Sequence, residues 1–261
     1  PEHYLLYAGL MSFGAVLSGM TGMIVAFRMF RLRLNRVAWS GVWETLKEGW
    51  ILFLSKASVS LYTAGNAFIL GMLTNNTVVG YYSAAERIVL SISGLMGPIA
   101  QAVYPRFSKL ASESESKVLQ LGQTVLMLMG CVGLFLTFVF IIAAPMVTKI
   151  LLGAGFERSI AVMRILAAWV FINGVTNVWG IQVMLPLGYD KAFFTILLLA
   201  GLTNVLLAIP LARHWSEIGM AVSVLLSCIF VTVAQPVYLW KKAGITPWLS
   251  KNKEWRDGDD E

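Results

Sequence analysis

The stretch VVGYYSAAERIVLSISGLMGPIAQAVYPRFSKL, residues 78–110, decides the fold. Eighteen uncharged residues separate Arg87 from Arg106. A helix needs roughly 20 predominantly apolar residues to cross the hydrocarbon of a bilayer. The run therefore reads as a membrane span that carries an acid and a base, Glu86 and Arg87, side by side near its start. A charge at bilayer depth costs about 2.5–3.5 kcal/mol on insertion scales, so such residues are expensive and tend to serve a purpose.

The rest of the chain agrees with a membrane setting. Of its 261 residues 57% are hydrophobic and 13% charged, with a mean hydropathy of +0.73. A soluble domain carries about a quarter charged residues. Seven apolar runs are candidate spans: 4–27, 49–73, 80–104, 118–143, 161–185, 192–212 and 218–239. They are too long for barrel strands and lack alternation, so helices are expected. The fold class read here is all-α integral membrane with seven transmembrane helices.

The formal charge of +6 does not indicate nucleic acid. Fourteen of the 20 basic residues lie in 28–48, 105–117, 186–191 and the tail, against three in the alternate loops. That bias places the tail in the cytoplasm and the start of the first span outside. Pro1 is preceded by no basic n-region or cleavage site, so upstream sequence is expected rather than a signal peptide. Cys131 and Cys228 sit inside apolar runs and are expected to be buried small apolar residues, without disulfide or metal spacing. Residues 31–48, mixing Trp39, Val42, Trp43 and Leu46 with bases, suggest a helix in the cytoplasmic interface; an ordinary aromatic belt is the alternative. Residues 144–160 suggest a short interfacial helix ending in a glycine turn, and the tail 241–261 is expected to be disordered. Asn75-Asn76-Thr77 fits a glycosylation acceptor, with chance the better explanation.

On a helical wheel centred on Arg87, one arc collects Ser83, Glu86, Ser91, Ser93, Gly94, Gly97, Pro98, Gln101 and Tyr104. The opposite arc, with Ile88, Val89, Ile92, Leu95, Met96, Ile99 and Val103, reads as the lipid side. In the preceding span Lys56 shares an arc with Ser55, Ser60, Tyr62, Thr63 and Asn66. A polar stripe in a membrane helix faces protein or a wet cavity. Glu86 paired with Lys56 or Arg87 could simply glue helices together. Glu86 is the only acid in these spans, so at least one base is left to attract an anion. Asn173, Asn177 and Gly180 form a second stripe, either lining a sugar-binding cavity or bonding between helices. Arg164 points away from that stripe and can snorkel. Pro98, Pro210 and Pro236 are candidate kinks. No catalytic triad, phosphate loop or metal cluster is present in the sequence, so no enzyme and no cofactor are expected.

The run LKEGWILFLSKASVSLYTAGNAFILGMLTNNTVVGYYSAAERI, followed by PIAQAVYPRFSKL, resembles the polysaccharide or O-antigen (Wzx-type) flippases of the multidrug/oligosaccharidyl-lipid/polysaccharide exporters. The resemblance rests on Asn66…Leu70-Gly71, on Gly80-Tyr81-Tyr82-Ser83-Ala84-Ala85-Glu86-Arg87 and on Tyr104-Pro105-Arg106-Phe107-Ser108. It implies a twelve-helix, two-lobed exporter of which this chain is a C-terminal fragment. Residues 1–30 would be the last helix of the N-terminal lobe, 31–48 the cytoplasmic inter-lobe linker, 49–240 the C-terminal six-helix lobe and 241–261 a cytoplasmic tail. It further implies a bacterial inner-membrane protein that flips undecaprenyl-pyrophosphate-linked oligosaccharide, with membrane lipids and possible polymerase and chain-length proteins as partners. The expected cavity residues are Lys56, Arg87, Asn66, Tyr62, Gln101, Asn173 and Asn177. Glu86 would tune Arg87 or carry a coupling proton, and H+ or Na+ coupling is the expectation. A multidrug/cation antiporter, a lipid II flippase, a membrane polymerase and a scaffold are the alternatives.

Overall fold

A computed structural model describes residues 2–30 and 39–242, with the side chains of 2–8, 11, 30, 40, 48, 51–64 and 242 excepted. All elements among the described residues are helical. They are α1 (Glu2–Phe30), α2 (Trp39–Leu73), α3 (Asn76–Ser93), α4 (Gly97–Ala111), α5 (Glu115–Val147), α6 (Glu157–Asn177) and α7 (Asp190–Lys242). Two compact units result, Pro1–Trp50 and Ile51–Glu261. In the first, the apolar side chains of α1, such as Phe13, Met20 and Met23, are exposed.

Five stretches among the described residues are long and apolar enough to cross a membrane: Ser12–Met29, Asn76–Ala111, Glu115–Leu152, Glu157–Met184 and Asp190–Lys241. The last comprises two expected spans. Ser216 takes φ 48°, ψ −126° inside α7, and Gly219 lies against the backbone of Leu211. Residues eight apart on a straight helix would be about 12 Å apart, so this contact shows α7 to be two arms folded on each other, 190–215 and 217–242. With α2 covering the expected span 49–73, the all-α, multi-pass architecture read from the sequence stands.

Trp39–Trp50 is the beginning of α2 rather than a separate interfacial helix. The linker residues 31–38 and most of the expected disordered tail, 243–261, lie outside the described residues. The 144–160 segment also differs from expectation. It is the end of α5, widened into a π turn at Thr148–Leu152 and stopped by Gly153 at φ 80°. Asn75 is no free glycosylation acceptor: it caps α3, its side chain accepting from the Val78 N–H at 3.0 Å.

In the second unit α6 is central and packs against α3, α5 and α7. Glycines allow the closest approach. A Cβ on Gly133 would stand 3.0 Å from the Phe171 Cα, and one on Gly174 would stand 2.6 Å from the Met96 Cε. Lipid tails are as apolar as leucine, so small residues and interhelical hydrogen bonds drive such packing. Thr137 adds one, donating to the Ala167 carbonyl at 2.8 Å. Cys131 is exposed on α5 and not buried as expected, whereas Cys228 is half-buried.

Candidate functional site

The expected span 80–104 is not one continuous helix. A 3-10 turn, Gly94–Met96, separates α3 from α4, which begins with Pro98 in its first turn. The turn has a different pitch, but it is only three residues long, so the face that carries Arg87 continues into α4. The inward face of α3 is Val78, Tyr82, Ala85, Val89 and Ser93, continued by Met96 and Phe107. Val89 and Met96, read from the wheel as facing lipid, are therefore core. The opposite face is exposed and carries Arg87, Ser91, Gly94, Pro98 and Gln101 at alternating steps of four and three residues. Pro105 has no N–H for the Gln101 carbonyl four residues back, so that face also gains a carbonyl without its helical donor.

Among the described residues the ion pairs are Lys117–Glu113 and Arg158–Glu217. Arg87 is in neither and points away from the core. Glu86, half-buried, accepts instead from the Tyr82 hydroxyl at 2.9 Å. Its carboxylate faces inward, where a cavity of about 30 Å³ is lined by Asn66, Glu86, Leu90, Leu166, Trp169 and Val224. That is room for about one water. Asn66 is 1% exposed, and both ends of its amide lack a partner among the described residues.

Trp169 and Val224 also bound a second cavity, of about 210 Å³, between α6 and the two arms of α7. Asn173, Thr176, Asn177, Ser227 and Cys228 give it its polar wall. Asn173 and Asn177 of the asparagine stripe line this cavity. Asn173 donates to Ser93 Oγ at 3.3 Å across helices, while the Asn177 side-chain oxygen is buried without a partner among the described residues. Gly180 leaves the stripe: it is packed against Gln235 and Phe193 within a π segment, Val178–Met184. Arg164 is exposed, and its Nε donates at 3.4 Å to the Ile141 carbonyl, which Pro145 leaves without a helical donor.

The candidate residues thus fall into three places. Arg87 and Gln101 share the exposed face of α3 and α4. Asn66 and Glu86 share the small inner cavity. Asn173 and Asn177 line the larger one beyond Trp169. The side chains of Lys56 and Tyr62 lie outside the described residues.

Sequence reasoning missed a cluster at the far end of α3. Glu217, 1% exposed, accepts from Arg158 Nε at 2.7 Å and Nη2 at 3.1 Å. The guanidinium lies over the Tyr81 ring, 5.6 Å from its centroid, and Tyr81 meets Phe156 edge-on at 5.7 Å. The only hint in the sequence is an acid directly before an apolar run. Near the other end Tyr189, in the α6–α7 loop, is edge-on to Tyr238 at 6.1 Å. Burial, then the Glu115 carboxylate, raises its phenol above the ordinary range.

The described residues thus form an all-helical, multi-pass membrane protein whose α3–α4 face is exposed, polar and carries Arg87. Comparison with known proteins sharpens this. The family model for polysaccharide biosynthesis proteins matches residues 1–111. A relative from Escherichia coli (strain K12) is 35% identical over 189 residues, 72% of this chain and 46% of the relative. Another, from Shigella dysenteriae, is 31% identical over 193 residues, 72% of this chain and 47% of the relative. Both carry the name "Putative O-antigen transporter". The chain is similar to these polysaccharide biosynthesis proteins and O-antigen transporters, as its sequence resemblance implied. It spans about half the length of the curated relatives it matches. No solved structure matches it.

Proposed function

We propose that this chain is the C-terminal part of a two-lobed flippase. Its cargo is undecaprenyl-pyrophosphate-linked oligosaccharide, carried from the inner to the outer leaflet of the bacterial inner membrane for surface polysaccharide assembly. The observation that carries the reading is the exposed face of α3 and α4. On a surface otherwise rich in leucine, isoleucine and phenylalanine, it presents Arg87, Ser91 and Gln101 among small residues. Lipid is a poor solvent for that face, so a wet cleft or a second lobe covers it. A guanidinium there meets a pyrophosphate by charge-assisted hydrogen bonds. Alternating access follows from rocking one lobe against the other around a midplane site. Lys56 would add a second cation to the cleft, with Tyr62 stacking on sugar.

Glu86 and Asn66, behind that face, are proposed to tune Arg87 or to carry H+ or Na+ coupling. A multidrug/cation antiporter and a lipid II flippase are the alternative readings; a single acid, Glu86, beside Arg87 argues against the antiporter. A transporter needs no covalent chemistry, and we assign no enzymatic role. The cytoplasmic C-terminus, and polymerase or chain-length proteins as partners, belong to the same proposal. In the complete transporter, Arg87→Ala and Lys56→Ala should lower translocation of lipid-linked oligosaccharide while the amount of folded protein is unchanged. Normal translocation by both would remove the anion site. Dye efflux lost in Glu86→Gln would favour the antiporter.

A further inference from the structure

We propose that Arg158 and Glu217 are positioning residues that set the rotation of α3, and with it the direction in which Arg87 faces. The inference rests on the cleft reading of that helix face. Three observations converge on it. First, Glu217 is buried at the fold-back of α7, immediately after Ser216 in its left-handed conformation. A non-glycine residue at φ 48° is strained and persists only where the surroundings impose it. Second, Arg158 grips that carboxylate through Nε and Nη2 while its guanidinium lies over the Tyr81 ring at cation–π distance. A guanidinium that pairs with an acid and faces a ring at once couples the ring to the acid. Third, the next residue, Ser159, is fully buried and donates from Oγ to the Tyr81 carbonyl at 2.9 Å. Tyr81 is therefore held by side chain and backbone together.

The consequence runs along α3. Tyr81 is fixed one residue before Tyr82, whose hydroxyl holds Glu86, and Arg87 follows Glu86. A rigid helix transmits rotation over these six residues without loss. The 3-10 turn at Gly94–Met96 then isolates α4 from that constraint. The clamp thus orients the Arg87 half of the cleft face and leaves the Gln101 half free.

Ser91 and Ser93 make the test. They lie on one helix about 200° apart; Ser91 is exposed and Ser93 is 9% exposed. Serine to cysteine changes little volume. In the complete transporter, with Cys131 and Cys228 replaced by Ala and Ser, the labelling rates of Ser91→Cys and Ser93→Cys by a water-soluble maleimide are compared. Lys191→Cys, at the other end of the unit, serves as the control. The expected parent behaviour is fast labelling at 91 and slow labelling at 93. Glu217→Gln, which removes the charge but keeps the shape, should reduce the 91:93 ratio several-fold while the rate at 191 and the melting midpoint hold. The exchanged pair, Arg158→Glu with Glu217→Arg, should recover part of the ratio. An unchanged ratio in Glu217→Gln overturns the positioning role and leaves the cleft standing. A parent in which 91 is as silent as 93 overturns the wet face itself, and the positioning role with it.

Discussion

Glu217 on α7 and Arg158 on α6 form a two-point ion pair, 2.7 and 3.1 Å, in which the acid is buried and the base is more than half exposed. The asymmetry predicts unequal mutants. Arg158→Ala strands a carboxylate in the interior and should cost about 3 kcal/mol, the low end for breaking a buried pair because water reaches one side. Glu217→Gln leaves a guanidinium that water can solvate and should cost much less. The double substitution Arg158→Ala with Glu217→Gln should be more stable than Arg158→Ala alone. Chemical denaturation in detergent measures all three; equal losses would mean that packing, not the charge, holds this corner.

Ser216 adopts φ 48° where α7 folds back. Glycine enters that region without a Cβ penalty. Ser216→Gly should therefore stabilise by about 1 kcal/mol, and Ser216→Val should destabilise by more. A lower melting midpoint for the glycine variant would mean that the serine side chain, not the backbone, is what the turn needs.

Two glycines of the α5–α6 contact should respond in the reverse order of their nominal overlaps. At Gly174 a new Cβ meets the tip of Met96, which can swing away. At Gly133 it meets the Phe171 backbone, which cannot. Gly133→Ala is expected to cost about 1–3 kcal/mol, as overpacking does, and Gly174→Ala less. Replacing Met96 by Ala should relieve the second cost but not the first, a difference that a double-mutant cycle reads directly.

Asn66 separates stability from activity. Its amide is buried with neither end partnered among the described residues. Leaving such a group unmade costs about 1–3 kcal/mol, so an apolar replacement of similar shape is neutral or stabilising. Asn66→Leu should keep or raise the melting midpoint while translocation falls. A stable variant with normal translocation would make Asn66 a packing residue and remove it from the coupling proposal.

Sequence alone was enough for the membrane class, the helical spans and the suspicion attached to Glu86–Arg87. Run length and charge cost act locally, so they need no neighbour to be read. It was also enough to place Arg87, Ser91, Pro98 and Gln101 on one face, because that stripe survives the 3-10 turn. Which way the stripe points was a tertiary decision. An apolar side chain is equally content against lipid or against another helix, so Val89 and Met96 could not be told from lipid-facing residues until α6 was seen to cover them. The same holds for Glu217. It stands 59 residues from Arg158, and nothing in its neighbours announces a partner. The fold-back of α7 at Ser216 brings the two within hydrogen-bonding distance, and only the folded chain supplies the low-dielectric pocket that makes their pairing matter.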